Sequence, residues 1–164
     1  MKPARNRIKG FTLIEVMVAV VILAIGLLGM GTLMVQSLQS SESAYSRGQA
    51  TVLAYDIIER MRANKVLNPD LPNQTFRVSQ ATLNSDYALA SSTACPETVC
   101  PANCEGTAKA VSDLSQWCAA LNTSLPNILP STSITPNGAN RYIVLIEWQE
   151  PNGDTGSVNV EVEL

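Results

Sequence analysis

From Val16 to Val35 the chain runs twenty residues without a charge, and the uncharged stretch covers all 26 positions between Glu15 and Glu42. A run of about 20 apolar residues is long enough to cross ~30 Å of hydrocarbon as a helix. Beyond Gln36 the sequence turns polar without breaking its period. Leu38, Tyr45, Val52 and Tyr55 recur on one stripe, and Ala50, Leu53, Ile57 and Met61 on an adjoining one. Both spacings are helical. No proline interrupts, the only glycine between Gln36 and Arg62 is Gly48, and Asp56 precedes Arg60 by four positions, an order that supports an exposed helical face. Asn64, then Asn68-Pro69, give the stop. One helix is therefore predicted from about Thr12 to about Asn64, roughly 80 Å at 1.5 Å per residue. Half of it would anchor in a membrane, and half would lie against a domain formed by the rest of the chain.

The pattern after the helix is mixed. A proline-rich turn spans residues 68–72, and Thr75–Ser79 reads as a short strand. Thr93–Gly106 is cysteine-rich and loop-like. A second helix is predicted over Ser112–Leu121, with Ser112 as N-cap and Leu114, Trp117, Cys118 and Leu121 on one face. Residues 122–140 read as a loop of Ser, Thr, Asn and Pro. Two alternating segments close the chain. Arg141–Gln149 places Tyr142, Val144, Ile146 and Trp148 on one face; Thr155–Leu164 places Val158, Val160, Val162 and Leu164 inward. Pro151-Asn152-Gly153-Asp154 joins them as a hairpin. A two-stranded hairpin is marginal alone, so the amphipathic half of the long helix must supply the other side of its core. The fold class expected is α+β: a long N-terminal transmembrane and amphipathic helix packed on a small C-terminal antiparallel sheet.

Charge sharpens the reading of the N-terminus. Residues 1–10 carry Lys2, Arg5, Arg7 and Lys9 and no acid, leaving seven basic and fourteen acidic groups in the remainder. A body of that charge repels nucleic acid, which needs clustered Lys and Arg. The chain has no histidine, the commonest general base and metal ligand. A basic start before an apolar run fits a secretory signal, but this run is longer than the ~7–15 residues of such a core and no A-x-A pattern follows it. It fits a plain transmembrane helix, whose four positive charges would stay in the cytoplasm. Neither accounts for Glu15 inside Phe11–Val18, because a carboxylate in a membrane segment costs ~3 kcal/mol or more, unless it snorkels to headgroups.

Lys9-Gly10-Phe11-Thr12-Leu13-Ile14-Glu15-Val16 resembles the class III leader of type IV pilins and pseudopilins. That family has a short basic leader, Gly before the cut, usually Phe after it, Glu as the fifth mature residue and an unbroken apolar helix. The resemblance covers about 25 residues. It implies cleavage between Gly10 and Phe11 by the membrane prepilin peptidase and N-methylation of Phe11. It also implies a filament role for Glu15, whose carboxylate would pair with the terminal ammonium of Phe11 on an adjacent subunit. The domain reading follows: residues 1–10 a leader that is removed, 11–35 the transmembrane half of the helix, 36–65 its amphipathic periplasmic half, and 66–164 a periplasmic α+β domain. Gly26, Gly29 and Gly31 read either as close packing or as a stretch that unwinds on filament entry.

Two further stretches resemble minor pilins of the type IV pilus modification type: Asp56-x-x-Glu59-Arg60-Met61-Arg62-Ala63-Asn64, and Tyr142–Trp148. For Asp56, Glu59, Arg60 and Arg62 a subunit contact and a solvated helix end stand side by side, since Arg near a helix C-terminus is favoured by the dipole in any case. The I-type minor pseudopilin of type II secretion shares the N-terminus and the overall plan. The implied partners are the prepilin peptidase, other minor pilins and the major pilin, inner-membrane lipid, and a tip adhesin as a candidate.

Cys95, Cys100, Cys104 and Cys118 follow C-x4-C-x3-C-x13-C. A zinc site would more usually show C-x2-C pairs, and a body facing the oxidising periplasm would bridge its cysteines. Two disulfides are expected. Three connectivities are open, among which Cys95–Cys100 with Cys104–Cys118 would staple the second helix to the loop. A membrane-tethered metal-binding or thiol domain is the alternative of another class. An enzyme is not expected: without histidine the serines lack a base, and neither a cofactor nor a metal is called for.

Overall fold

The computed structural model of the chain describes residues 11–67, 77–79, 86–98, 100, 104–138 and 140–164. Helix α1 spans Leu13–Ala63. It is followed by β1 (Lys65–Leu67), β2 (Arg77–Ser79), a 3-10 turn over Ser92–Ala94, helix α2 (Gly106–Ser124), and strands β3 (Ser133–Pro136), β4 (Arg141–Gln149) and β5 (Thr155–Glu163). β1 and β2 form a two-stranded antiparallel pair, and β3-β4-β5 an antiparallel sheet in that order. The fold is α+β, a long apolar N-terminal helix with a small C-terminal antiparallel sheet. The chain divides into two compact units, the first ending at Ser41 and the second covering Glu42–Leu164. The 68–72 turn, Thr75 and Phe76 lie outside the described residues.

In the first unit the apolar side chains are exposed on every side of the helix, from Leu13 to Val35. A helix apolar all round has no aqueous face. In the second unit α1 becomes one-sided. Ser46, Ala50, Leu53, Ala54, Ile57, Ile58 and Met61 are buried, a 3.6-residue stripe. The stripe of Tyr45, Val52 and Tyr55 is left exposed. Only one of the two predicted stripes is thus core.

That core joins α1 to Leu114, Trp117, Cys118 and Leu121 of α2 and to Ile134, Tyr142, Val144, Ile146, Trp148 and Val162 of the sheet. Trp117 Nε1 donates to the Leu53 carbonyl at 2.8 Å, so the largest α2 side chain is satisfied against α1. The alternation expected for β4 holds along its length, with Tyr142, Val144, Ile146 and Trp148 buried. The β4–β5 hairpin closes with Glu150 N–H donating to Asp154 at 2.8 Å and Gly153 N–H to Glu150 at 2.9 Å. Gly153 has φ +92°, a left-handed value that a bulged hairpin loop needs and glycine supplies without strain.

Two sequence expectations need correction. Helix α2 begins at Gly106, six residues before Ser112, and its N-cap Glu105 makes no side-chain cap bond. Ser112 is buried inside the helix, where its hydroxyl accepts from Cys100 N–H and from Gln116 Nε2, each at 3.2 Å. The start is set by a tertiary contact described below, which the local pattern does not encode. The predicted 122–140 loop contains both the end of α2 and β3. β3 has a single buried apolar residue, Ile134, and is held by pairing on both sides: with β4, and with Leu89, which exchanges two 2.8 Å backbone bonds with Ile134. Thr132 extends this pairing with its side chain, donating to Glu147 O at 3.0 Å and accepting from Glu147 N–H at 2.9 Å.

Candidate processing and assembly site

Phe11 and Thr12 precede the first turn of α1. The Thr12 carbonyl accepts from Glu15 N–H at 3.1 Å and from Val16 N–H at 3.4 Å, which places Glu15 in the first turn. A carboxylate there is favoured by the helix dipole. Phe11, Glu15, Ala19 and Leu23 share one face of the segment. Phe11 is 82% exposed, so both it and Glu15 are open to a second molecule or to lipid. Gly10, the expected residue before the cut, lies outside the described residues. Farther along, a Cβ added at Gly26, Gly29 or Gly31 would meet nothing within 4 Å. No packing among the described residues requires those glycines, and the helix continues through them unbroken.

At the other end of α1 the residues 56–64 are drawn into the second unit. Arg60 Nε meets Asp56 Oδ2 at 2.9 Å, while Arg60 Nη1 reaches Asp113 Oδ1 at 3.3 Å and Gln116 Oε1 at 3.0 Å on α2. Buried Asp113 takes a second donor at its other oxygen, the Tyr87 hydroxyl at 2.6 Å. Burial, the hydrogen bond to Asp113 and the charge of Asp113 all push the Tyr87 hydroxyl pKa well above its ordinary value, with Asn64 and Arg60 opposing. Asn64 is buried and clamps the start of α2: its Nδ2 donates to Gly106 O at 2.8 Å and its Oδ1 accepts from Gly106 N–H at 3.0 Å. Asp56 and Arg60 are therefore engaged inside the domain. Glu59 and Arg62 pair with each other at 2.7 Å and stay exposed, 65% and 47% at the side chain. Sequence reasoning took Asn64 only as a stop signal and passed over Asp113 and Tyr87. No local signal marks the last two, since each finds its partner across 26 positions.

The family pattern of the prokaryotic N-terminal methylation motif matches residues 5–31. That motif indicates a type IV pilin- or pseudopilin-like prepilin. No curated protein and no solved structure matches the chain. The motif covers Arg5, Arg7 and Lys9 of the basic start, Phe11, Glu15 and the apolar helix through Gly31, and belongs to structural, pilin-like proteins. It implies processing by a prepilin peptidase and assembly with other pilins, and with the long apolar helix it indicates membrane anchoring.

The cysteines pair as Cys95–Cys118 and Cys100–Cys104, with Cα–Cα separations of 6.1 and 6.3 Å. Both separations suit a disulfide. Of the three open connectivities, the Cys95–Cys100 with Cys104–Cys118 pairing offered as a staple for the second helix is not the one formed. Ser91 and Ser92 hydroxyls donate to Pro130 O at 2.7 Å and Leu129 O at 2.9 Å, fixing the strap before Cys95. Cys95 thereby packs on the core beside Cys118 of α2, so the α2 staple comes from Cys95 rather than Cys104. All four sulfurs are consumed, and no group of three or more His, Cys, Asp or Glu suited to a metal occurs among the described residues.

Proposed function

We propose that the chain is a minor pilin of the type IV pilus, a structural subunit that primes pilus assembly at the inner membrane and takes a place at the filament tip, supporting twitching motility and adhesion. The observation that carries this reading is the order Gly10-Phe11-x-x-x-Glu15 directly before a helix whose apolar side chains are exposed. The precursor inserts with its basic leader in the cytoplasm and residues 36–164 in the periplasm. The peptidase cuts after Gly10, and Phe11 is N-methylated. Cutting before the apolar run leaves that run on the mature protein, first as an anchor and then as part of a filament core. There Glu15 would sit among hydrocarbon, where a carboxylate is stable only beside an opposite charge. The Phe11 ammonium of a neighbouring subunit supplies that charge and sets the register. The partners are other minor pilins, the major pilin and a tip adhesin.

The Asp56–Asn64 run and Tyr142–Trp148 support the finer resemblance to the minor pilin PilV. Within that run Glu59 and Arg62 are the exposed charges open to a neighbouring subunit. The I-type pseudopilin of type II secretion is the second reading, favoured by the same N-terminus. Intact mass of the protein from its own membranes tests the processing: a species beginning at methylated Phe11 is expected. A chain still beginning at Met1, in cells with active peptidase, would overturn the proposal. Co-shearing with pili then assigns it to the pilus, whereas lost secretion with intact pili on deletion assigns it to the secretion system.

A further inference from the structure

The two edges of the β3-β4-β5 sheet differ. The β3 edge is closed by Leu89. On the same side of β4, Asn127 and Leu129 pair with Gln149 and Glu147. β5 has no strand beyond it among the described residues. The register fixes which of its backbone groups point outward. Leu164 N–H bonds Asn140 O and Glu150 N–H bonds Asp154 O, both at 2.8 Å, and antiparallel pairs alternate between bonded and non-bonded. Positions 156, 158, 160 and 162 therefore bond to β4. Thr155, Ser157, Asn159, Glu161 and Glu163 turn their N–H and C=O groups to the open edge.

The side chains say what fits there. Val158 and Val160 face the core but stay only partly buried, because the apolar layer ends at this strand. On the other face Glu161 and Glu163 are both exposed. The nearby cation is Arg141, 3.7 Å from Glu161, and Asn137 Nδ2 donates to the same Glu161 oxygen at 3.1 Å. Glu161 thus takes that guanidinium, and Glu163 stands opposite Arg141 in the register with no other basic residue on either strand. A second copy paired through β5 would bring four carboxylates to one face with no cation from either strand, and such charges are a known guard against edge self-pairing.

We propose that β5 is a strand-addition site for an extended segment of another protein that alternates apolar with basic side chains. Its backbone completes the ladder, its apolar residues cover Val158 and Val160, and its Lys or Arg side chains meet Glu161 and Glu163. The inference stands apart from the filament reading, since it needs only the folded second unit.

The test uses the full chain in detergent micelles and two synthetic nine-residue peptides, one alternating Val with Lys and Thr, the other with Glu in place of Lys. The basic peptide is expected to slow hydrogen exchange at the Ser157, Asn159 and Glu161 amides and to bind about tenfold or more tightly than the acidic one. Asn159→Pro removes an outward N–H and no bond to β4, a place where an edge strand tolerates proline. It is expected to abolish binding while the aromatic circular dichroism stays native. Glu161→Lys with Glu163→Lys should reverse the peptide preference. Equal binding of both peptides, no added amide protection in the unmodified chain, or binding that survives Asn159→Pro would overturn the proposal. Self-association of the chain through this edge, lost in Asn159→Pro, would also overturn it and give the edge to a second copy.

Discussion

Gly156→Ala is expected to destabilise the second unit, against the usual direction of such a change in a strand. Alanine in place of glycine within a strand ordinarily gains about 0.5–1 kcal/mol. Here a Cβ at Gly156 would lie 2.6 Å from Trp148 Nε1 and closer still to the ring carbons Cε2 and Cζ2. Gly156 stands directly opposite Trp148 in the β4–β5 register, and the indole lies across the space a side chain would occupy. Trp148 is fully buried, so the ring cannot swing into solvent. Relief requires an off-rotamer ring or parted strands in a core packed like a crystal. Overpacking of this kind costs about 1–3 kcal/mol. For a unit of this size that is a fall in Tm of roughly 4–12 °C, read from the aromatic circular dichroism of the full chain in micelles. Trp148→Phe should relieve most of the loss when combined with Gly156→Ala, because the smaller ring vacates the space and Trp148 Nε1 has no hydrogen-bond partner among the described residues. The two changes should couple by about 1 kcal/mol or more in a double-mutant cycle. A Gly156→Ala variant melting at or above the unmodified chain, or strict additivity of the pair, would refute the reasoning.

Other outcomes follow from the contacts described. Asn64→Ala should cost about 2 kcal/mol in denaturant titration, since it leaves both Gly106 backbone groups without their side-chain partner. Opening Cys95–Cys118, 23 positions apart, by Cys→Ser should cost about 3 kcal/mol, more than the ~2 for Cys100–Cys104, 4 apart, because the longer loop gains more freedom on unfolding. The raised Tyr87 pKa makes its stabilisation complete below the ordinary value of 10.0 and lost as pH rises beyond it. The chain should accordingly weaken above that pH in alkaline melts, and Tyr87→Phe should remove part of the dependence. Glu15→Val should leave the protein in the membrane fraction but out of sheared filaments; normal incorporation would count against the register role.

Periodicity and motif made much of this protein legible without coordinates. The 26-residue charge-free run, the basic leader and Glu15 are read along the chain, because membrane insertion and peptidase recognition act on contiguous segments. The end of α1 and the β4–β5 hairpin are likewise local, set by helix stops, strand alternation and a glycine turn. What tertiary structure alone decided is every choice between equivalent local options. Two apolar stripes ran along α1, and only Ala50–Leu53–Ile57–Met61 found a sheet and a second helix to pack on. The start of α2 is fixed by Asn64, 42 positions away, and not by the available Ser112 cap. Disulfide partners were settled by the strap that carries Cys95 onto α2. β3 is a strand through its neighbours and not its composition. In each case the deciding energy is a contact between residues distant in sequence, and a pattern read over a few turns holds no information on which distant surface will meet it.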